Sequence, residues 1–181
     1  MPEKKKETLG KSVFDILEFF LKCLLAVFLF ITFFCRQVTV DGSSMNDTLQ
    51  NNDRLAVWTF MYEPRPKDIV VITHGAKLDT MLIKRVIAVG GQRLTINYDS
   101  GEVFVDGVLL YEDYIKGHTI KLSMPVKNPD LIIPEGYVFV MGDNRENSTD
   151  SRSALVDIIP VQNIIGKAFC RLAPLPRFGT I

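Results

Sequence analysis

The feature that most constrains this chain is an apolar run near its N-terminus, from Leu17 to Cys35. Its 19 residues are interrupted only by Glu18 and Lys22. As a helix rising about 1.5 Å per residue, the run would extend about 28 Å, close to the hydrocarbon thickness of a bilayer. Glu18 and Lys22 are four residues apart, so they can pair on one face of the helix. We expect one membrane-spanning helix, followed by whatever the rest of the chain folds into.

The charges that flank this run predict its orientation. A cluster of lysines precedes it, whereas its far side begins with the single Arg36; the cluster comprises Lys4, Lys5, Lys6 and Lys11. Such an asymmetry points the N-terminus toward the cytoplasm. A cleaved secretory signal is the alternative, but the run exceeds the usual 7–15 residues and lacks an A-x-A-like end. We therefore expect a cytoplasmic tail (1–11), an uncleaved signal anchor (12–36) and an extracytoplasmic domain (37–181).

Composition excludes several classes of function. The chain has 21 basic and 21 acidic residues, and no basic stripe with interleaved aromatic residues suggests a nucleic-acid partner. Of its three cysteines, Cys23 and Cys35 fall in the apolar run, which leaves Cys170 alone outside it. This pattern offers neither a disulfide framework nor a C-x-x-C metal site. We expect no metal and no cofactor, membrane lipid as a partner of the anchor, and an oligomeric state that the sequence leaves open.

After Arg36 the hydrophobic period changes from helical to alternating, which is typical of strands. The predicted strands are Gln37 to Val40, Leu55 to Thr59, Asp68 to Thr73, Met81 to Ala88, Arg93 to Asn97, Glu102 to Val105, Tyr137 to Met141 and Ile164 to Leu172. Tight reversals are predicted at Ser100-Gly101 and at Asp106-Gly107. The expected fold is mainly β, with a protruding β-hairpin subregion and one N-terminal transmembrane helix.

Lys84 lies in the middle of the apolar segment "MLIKRVIAVGG", residues 81–91. Strand alternation places one set of side chains on the face of Lys84, namely Leu82, Val86 and Ala88, and the other set on the opposite face, namely Ile83, Arg85 and Ile87. Burial among apolar neighbours would lower the pKa of Lys84, so that a useful fraction is neutral and can accept a proton. The alternative is a lysine on an edge strand with its ammonium in water.

The polar turn "DGSSMNDTLQNND", residues 41–53, follows the anchor closely. Ser44 is a candidate nucleophile, and its alternative role is helix capping, since Ser44-x-x-Asp47 has the spacing of a capping box. The chain has only two histidines, His74 and His118, and neither lies in a recognisable motif. A serine nucleophile here is therefore expected to use another base.

A third unusual segment, "GDNRENSTDSR" at residues 142–152, has no apolar side chain. It fails as a calcium loop, because Ser148 and Ala154 stand where an EF-hand requires Gly and Glu. Its alternating aspartates and arginines can form a buried polar network with neighbours such as Arg85. Ser148 could then bond a nearby amine.

Together these three segments, in this order behind an anchor, resemble the type I signal peptidases, whose patterns are G-x-S-M-x-P-T-L, K-R-V-I-G and G-D-N-R-x-x-S-x-D-S-R. The resemblance implies that Ser44 is the nucleophile, Lys84 the general base and Ser148 the residue that orients the amine. It also implies that the Ser44 backbone N–H stabilises the oxyanion. A structural network is implied for Arg85, Asp143, Arg145, Asp150 and Arg152.

The same resemblance implies that the chain removes signal peptides from preproteins. The substrate would add as a strand, with small residues at the first and third positions before the cut. Candidate substrate-binding residues are Val38, Val40, Met45, Leu82 and Ile83. The chain departs from the family pattern at Asp47, which replaces a proline, at Gly42, where some relatives have an oxyanion-binding hydroxyl, and at Ala88-Val89. If Asp47 approached Lys84, its charge would stabilise the ammonium and weaken the base.

Three other functions fit parts of the sequence. A self-cleaving Ser/Lys protease similar to the SOS repressors would share the dyad, but those proteins are soluble. A Ser/His/Asp hydrolase would have to use His74. A membrane-anchored β-rich binding or scaffold module would not depend on the serine or the lysine, so mutants of these two residues distinguish it from an enzyme.

Overall fold

The computed structural model describes residues 3–120 and 130–181, with side chains from residue 13 onward. By its internal contacts the chain divides into two compact units, Met1–Arg36 and Gln37–Ile181. The side chains of the N-terminal lysine cluster, Lys4, Lys5, Lys6 and Lys11, lie outside the described part of the structure.

The first unit is a single helix, α1, from Glu3 to Phe34. Its segment Val13–Phe34 has the length and composition needed to cross a bilayer. The predicted i,i+4 pair is present, with Lys22 Nζ 2.7 Å from Glu18 Oε1. Cys35 was expected in the helix but begins the first strand instead.

The second unit is mainly β, as the sequence predicts, and its first strand begins two residues before the boundary between the units. The strands are β1 (Cys35–Thr39), β2 (Arg54–Trp58), β3 (Ile69–Ile72), β4 (Leu82–Val89), β5 (Arg93–Asn97), β6 (Glu102–Val105), β7 (Val108–Leu109), β8 (Asp130–Ile132), β9 (Tyr137–Met141), β10 (Ile159–Pro160), β11 (Ile164–Ala173) and β12 (Gly179–Thr180). All eight predicted strands are present, with ends shifted by at most two residues. Two 3₁₀ turns, Val161–Asn163 and Leu175–Arg177, flank β11.

These strands form two sheets. The larger has the order β1-β2-β11-β3-β4-β9-β10, with β12 pairing to β11. The smaller has the order β7-β6-β5-β8 and corresponds to the predicted hairpin subregion. Asp106 and Gly107 both have positive φ, 53° and 78°, which is the conformation of a two-residue type I′ hairpin between β6 and β7.

The predicted faces of β4 are correct only in its first half. Leu82 and Val86 belong to one apolar cluster and Ile83 to another, as alternation requires. The pairing of β4 with β9 then shifts register between Val86 and Ala88. Because such an irregularity interrupts the period of two, Ile87 and Ala88 both enter the cluster beneath the small sheet. The prediction that they lie on opposite faces is wrong.

Candidate active site

The turn that carries Ser44 is fixed to the body of the fold by two apolar side chains. Met45 and Leu49 are buried among residues of β2, β3 and β11. The Leu49 N–H donates to the Met45 carbonyl at 2.8 Å, which closes one turn without forming a regular helix. The Ser44 carbonyl in turn accepts from the Asn144 N–H at 3.0 Å. The turn that carries Ser44 is thereby bound to the loop at residues 142–152 as well as to the core.

Lys84 meets Ser44 from β4, where it lies opposite Val70 of β3. Lys84 Nζ is 2.6 Å from Ser44 Oγ, and the lysine is 3% exposed. This side-chain hydrogen bond disagrees with the capping alternative for Ser44, and the burial disagrees with a solvated edge lysine. The structure therefore brings together the two residues predicted to react.

Burial lowers the pKa of Lys84 from 10.5 to about 8, because the ammonium loses hydration that its surroundings do not replace. The nearby charges largely oppose one another: Asp150 and Asp143 raise the pKa and Arg152 lowers it. At pH 7 a pKa of 8 leaves about 9% of the amine neutral, against about 0.03% for an ordinary lysine. Lys84 can therefore act as a base near neutral pH.

Two aspartates of the loop at residues 142–152 form buried ion pairs of bidentate geometry, one with Arg85 of β4 and one within the loop. Arg85 donates from Nε and Nη2 to the two carboxylate oxygens of Asp143, at 2.8 and 2.6 Å. Arg152 donates to both oxygens of Asp150, each at 2.8 Å. Burial alone would raise the pKa of Asp150, but the bonds from Arg152 and from the Gly142 N–H outweigh it and hold the pKa below its usual value. Both aspartates thus pair as the sequence predicts.

Arg145 has a partner that the sequence analysis missed. It is fully buried, and its guanidinium binds both oxygens of Glu112, with Nη1 2.8 Å from Oε2. Nη1 also donates to Thr119 Oγ1 at 2.6 Å. The available signal was a charge count: the predicted network had three arginines and two aspartates, and so lacked one carboxylate. That count did not show which acidic residue would complete the network.

Ser148 lies in this loop, with a buried hydroxyl. Its Oγ is close enough to Asp150 to lower the pKa of that carboxyl, yet forms no hydrogen bond of normal geometry with any described group. The predicted bond between Ser148 and Lys84 is thus not formed. Gly142 explains the close packing here, since a Cβ at that position would overlap both the Ser148 hydroxyl and the Ser44 carbonyl oxygen.

Two of the predicted substrate-binding residues line a cleft. Val38 and Ile83 border a cavity of about 260 Å³, together with Thr39, Asp41, Thr80 and Met81. Val40 and Met45 lie in the core instead, because their side chains fill the cluster beneath the serine turn. Leu82 packs on the cluster of the other face. The predicted apolar pocket is therefore formed by fewer residues than expected.

Asp47 does not approach the lysine. It is 76% exposed and pairs with Lys116, whose Nζ is 3.2 Å from its Oδ1. At the other departure, Gly42 has a positive φ of 94° and its N–H donates to Asn51 Oδ1 at 2.9 Å. The two changes in the serine motif therefore leave the pairing of Ser44 with Lys84 intact.

Comparisons with known proteins show which proteins this chain is similar to. The family model described as signal peptidase, peptidase S26, matches residues 13–173. A probable signal peptidase I-1 of Synechocystis sp. is 40% identical over 153 residues, covering 78% of this chain and 73% of that protein. Signal peptidase I P of Bacillus subtilis subsp. natto is 34% identical over 176 residues, covering 90% and 92%. A crystal structure of a signal peptidase I from Enterococcus faecalis V583 aligns with a TM-score of 0.47 at 23% identity, covering 59% of this chain and 97% of that one.

Proposed function

This chain belongs to the signal peptidase family, peptidase S26, whose members are membrane-anchored serine endopeptidases that remove signal peptides from preproteins, and we propose that Ser44 and Lys84 carry out this reaction here. The observation that carries the proposal is the distance of 2.6 Å between Lys84 Nζ and Ser44 Oγ at a buried position. A neutral amine at that distance can remove the serine proton as the hydroxyl attacks.

The reaction proceeds in two steps. Ser44 Oγ attacks the scissile carbonyl and its proton passes to Lys84, whose ammonium then protonates the leaving amine as the acyl-enzyme forms. Lys84, neutral again, takes a proton from water as that water attacks the acyl-enzyme, and it returns the proton to Ser44 Oγ as the ester bond breaks and the signal peptide leaves with a free carboxylate. The Ser44 N–H is the proposed oxyanion donor. Ser148 is the proposed supporting hydroxyl, because its buried Oγ retains hydrogen-bonding capacity for the lysine amine.

The substrate is proposed to add as an extended strand along free backbone edges. β1 is the terminal strand of the large sheet, and the pairing of β4 with β9 begins only at Arg85, so that Leu82 to Lys84 have a strand neighbour on one side. Val38 and Ile83 border the cleft of about 260 Å³ between these segments. As the family resemblance implies, this cleft is the proposed site for the small side chains at the first and third positions before the cut.

The proposed topology has residues 1–11 in the cytoplasm, residues 12–36 in the membrane and residues 37–181 outside. It is supported by one apolar helix of sufficient length, Val13–Phe34, and by the lysines that precede it. Membrane lipid is then a partner of the anchor. Protease added outside intact cells should cut near Ser100, and cleavage there only after the cytoplasmic side is opened would contradict this orientation.

The decisive experiment measures cleavage of a preprotein by the detergent-solubilised chain. Ser44→Ala and Lys84→Ala should each lower kcat by roughly 10⁴-fold or more, since each removes one half of a unit that acts together. Ser43→Ala, next in the chain, and Lys77→Ala, an exposed lysine, are matched controls that should retain activity. Full activity in Lys84→Ala would defeat the assignment.

A further inference from the structure

Residues 111–119, which we call the strap, lie against the loop at residues 142–152. The Lys116 N–H donates to the Asp143 carbonyl at 2.8 Å, and the Arg145 N–H donates to the Lys116 carbonyl at 3.0 Å. These bonds form a short parallel bridge between Lys116 and Asn144. The strap thus pairs with the part of the loop that contacts the Ser44 carbonyl.

Glu112 of the strap provides the carboxylate for Arg145. Both residues are buried, with side chains 6% and 0% exposed respectively. Two guanidinium nitrogens of Arg145 donate to the two carboxylate oxygens. Without Glu112 this guanidinium would be a buried charge with no carboxylate among its described partners, which strongly disfavours the folded arrangement of the loop.

Arg145 connects this ion pair to the nucleophile. Its Nε donates to the Gly142 carbonyl at 3.0 Å and so fixes the peptide on which the Ser44 carbonyl and Ser148 pack. Asn144, which precedes Arg145 in the loop, contacts Ser44 as well, because its N–H donates to the Ser44 carbonyl at 3.0 Å. A displacement of Arg145 would therefore move the surface against which Ser44 is held.

A second connection runs from Glu112 through Tyr114. The Tyr114 hydroxyl donates to Glu112 Oε1 at 2.8 Å, and its ring lies 3.9 Å from the guanidinium carbon of Arg85. Burial, reinforced by Glu112, raises the pKa of Tyr114, so that the hydroxyl stays protonated and donates. Arg85 is in turn bound to Asp143 at the start of the loop. Glu112 thus supports the loop through two separate arginines.

We propose that Glu112 is a positioning residue for the Ser44–Lys84 dyad, acting through Arg145 and Tyr114; this inference rests on the proposed function. With Glu112 the buried network has as many carboxylates as guanidiniums. Its members are Arg85, Arg145, Arg152, Glu112, Asp143 and Asp150. Charge balance keeps the loop in the one arrangement that brings Gly142 against Ser44.

The test uses the full chain in detergent and a preprotein substrate, with kcat and KM measured separately. Glu112→Gln keeps the size of the side chain but removes its charge, and we expect kcat to fall at least tenfold while KM changes less than threefold. Glu112→Asp keeps the charge and should recover kcat to within about threefold of the parent. Glu146→Gln is the matched control: Glu146 is an exposed acid that accepts from the strap at the His118 N–H, and its loss should change kcat less than twofold.

A kcat in Glu112→Gln within threefold of the parent would overturn the proposal, and equal losses in the Gln and Asp variants would overturn the role given to the charge. If Glu112→Gln shows no cooperative melting, Tyr114→Phe decides, because it removes only the hydroxyl bond to Glu112. A threefold or larger loss of kcat at unchanged KM supports the inference, and an unchanged kcat contradicts it. Inactivity of the parent chain, or activity of Ser44→Ala, would instead defeat the proposed function.

Discussion

Replacing Lys84 by methionine would separate the stability cost of the buried amine from its proposed use in catalysis. Burial lowers the lysine pKa from 10.5 to about 8 at a site that is 3% exposed. This difference corresponds to about 3 kcal/mol of lost stability. Methionine has a similar length without the charge, but leaves Ser44 Oγ without its partner at 2.6 Å, a loss of about 1 kcal/mol. We expect Lys84→Met to be inactive, and more stable than the parent by about 2 kcal/mol at pH 7.

The difference in stability between Lys84→Met and the parent depends on pH, and so does its sign. Below pH 8 the folded and unfolded chains both hold the lysine proton, so the cost of charging the buried amine is fully present. Between pH 8 and 10.5 only the unfolded chain keeps the proton, and the parent gains stability as the pH rises. Above pH 10.5 neither chain holds it, the advantage of methionine disappears, and only the lost hydrogen bond remains.

The assay is urea denaturation of both proteins in the same detergent across this pH range. Every other titrating group is shared, so subtracting the two unfolding free energies isolates Lys84. The unfolding free energy of Lys84→Met minus that of the parent should fall by about 3 kcal/mol between pH 7 and pH 10.5. A difference that stays constant within about 0.5 kcal/mol would refute the argument, because it would mean that the amine is not desolvated in the folded protein.

Three further outcomes are expected. Cleavage rates should rise about tenfold between pH 7 and 9, as the neutral fraction of Lys84 grows from about 9% to about 91%; a flat profile would contradict its proposed role as base. Gly142→Ala should lower kcat about 100-fold with cooperative melting retained, because the new Cβ must displace Ser44 or Ser148, and a kcat near that of the parent would show that the contact is unimportant. Asp47→Asn should leave the pH–rate profile unshifted, since Asp47 is exposed and paired with a surface lysine; a shifted profile would place its charge close to the base.

The long strands could be predicted from the sequence because their burial alternates. β2 and β5 each bury every second side chain, so the period of two is visible in the letters. Four strands were missed: β7, β8, β10 and β12 have two or three residues each. So short a segment contains at most one and a half periods, and its pairing is determined by the neighbouring strand rather than by its own pattern.

Ser44 and Lys84 were candidates because of local sequence features, whereas their roles as nucleophile and base came from the family resemblance. Lys84 interrupts an apolar strand, which is a local anomaly, and Ser44 lies in a polar turn beside a buried methionine. Glu112 shows no comparable anomaly. It lies in an irregular segment of polar and aromatic residues, and its partner Arg145 is 33 positions away. Nothing in the neighbouring residues indicates an ion pair that only the tertiary fold brings together.

The arrangement also explains how the pKa of Lys84 is lowered although several charged groups lie nearby. One unbalanced arginine near Lys84 would lower its pKa further, and one unbalanced aspartate would raise it and protonate the base. In the structure Asp150 and Asp143 oppose Arg152 at the lysine, so burial remains the dominant effect. The charged loop can therefore be rigid through its ion pairs while leaving the basicity of Lys84 to be determined mainly by the loss of water around the amine. Replacing Asp143, Asp150 or Arg152 should alter both properties at once, because each change breaks an ion pair and removes a charge that acts on the pKa of Lys84.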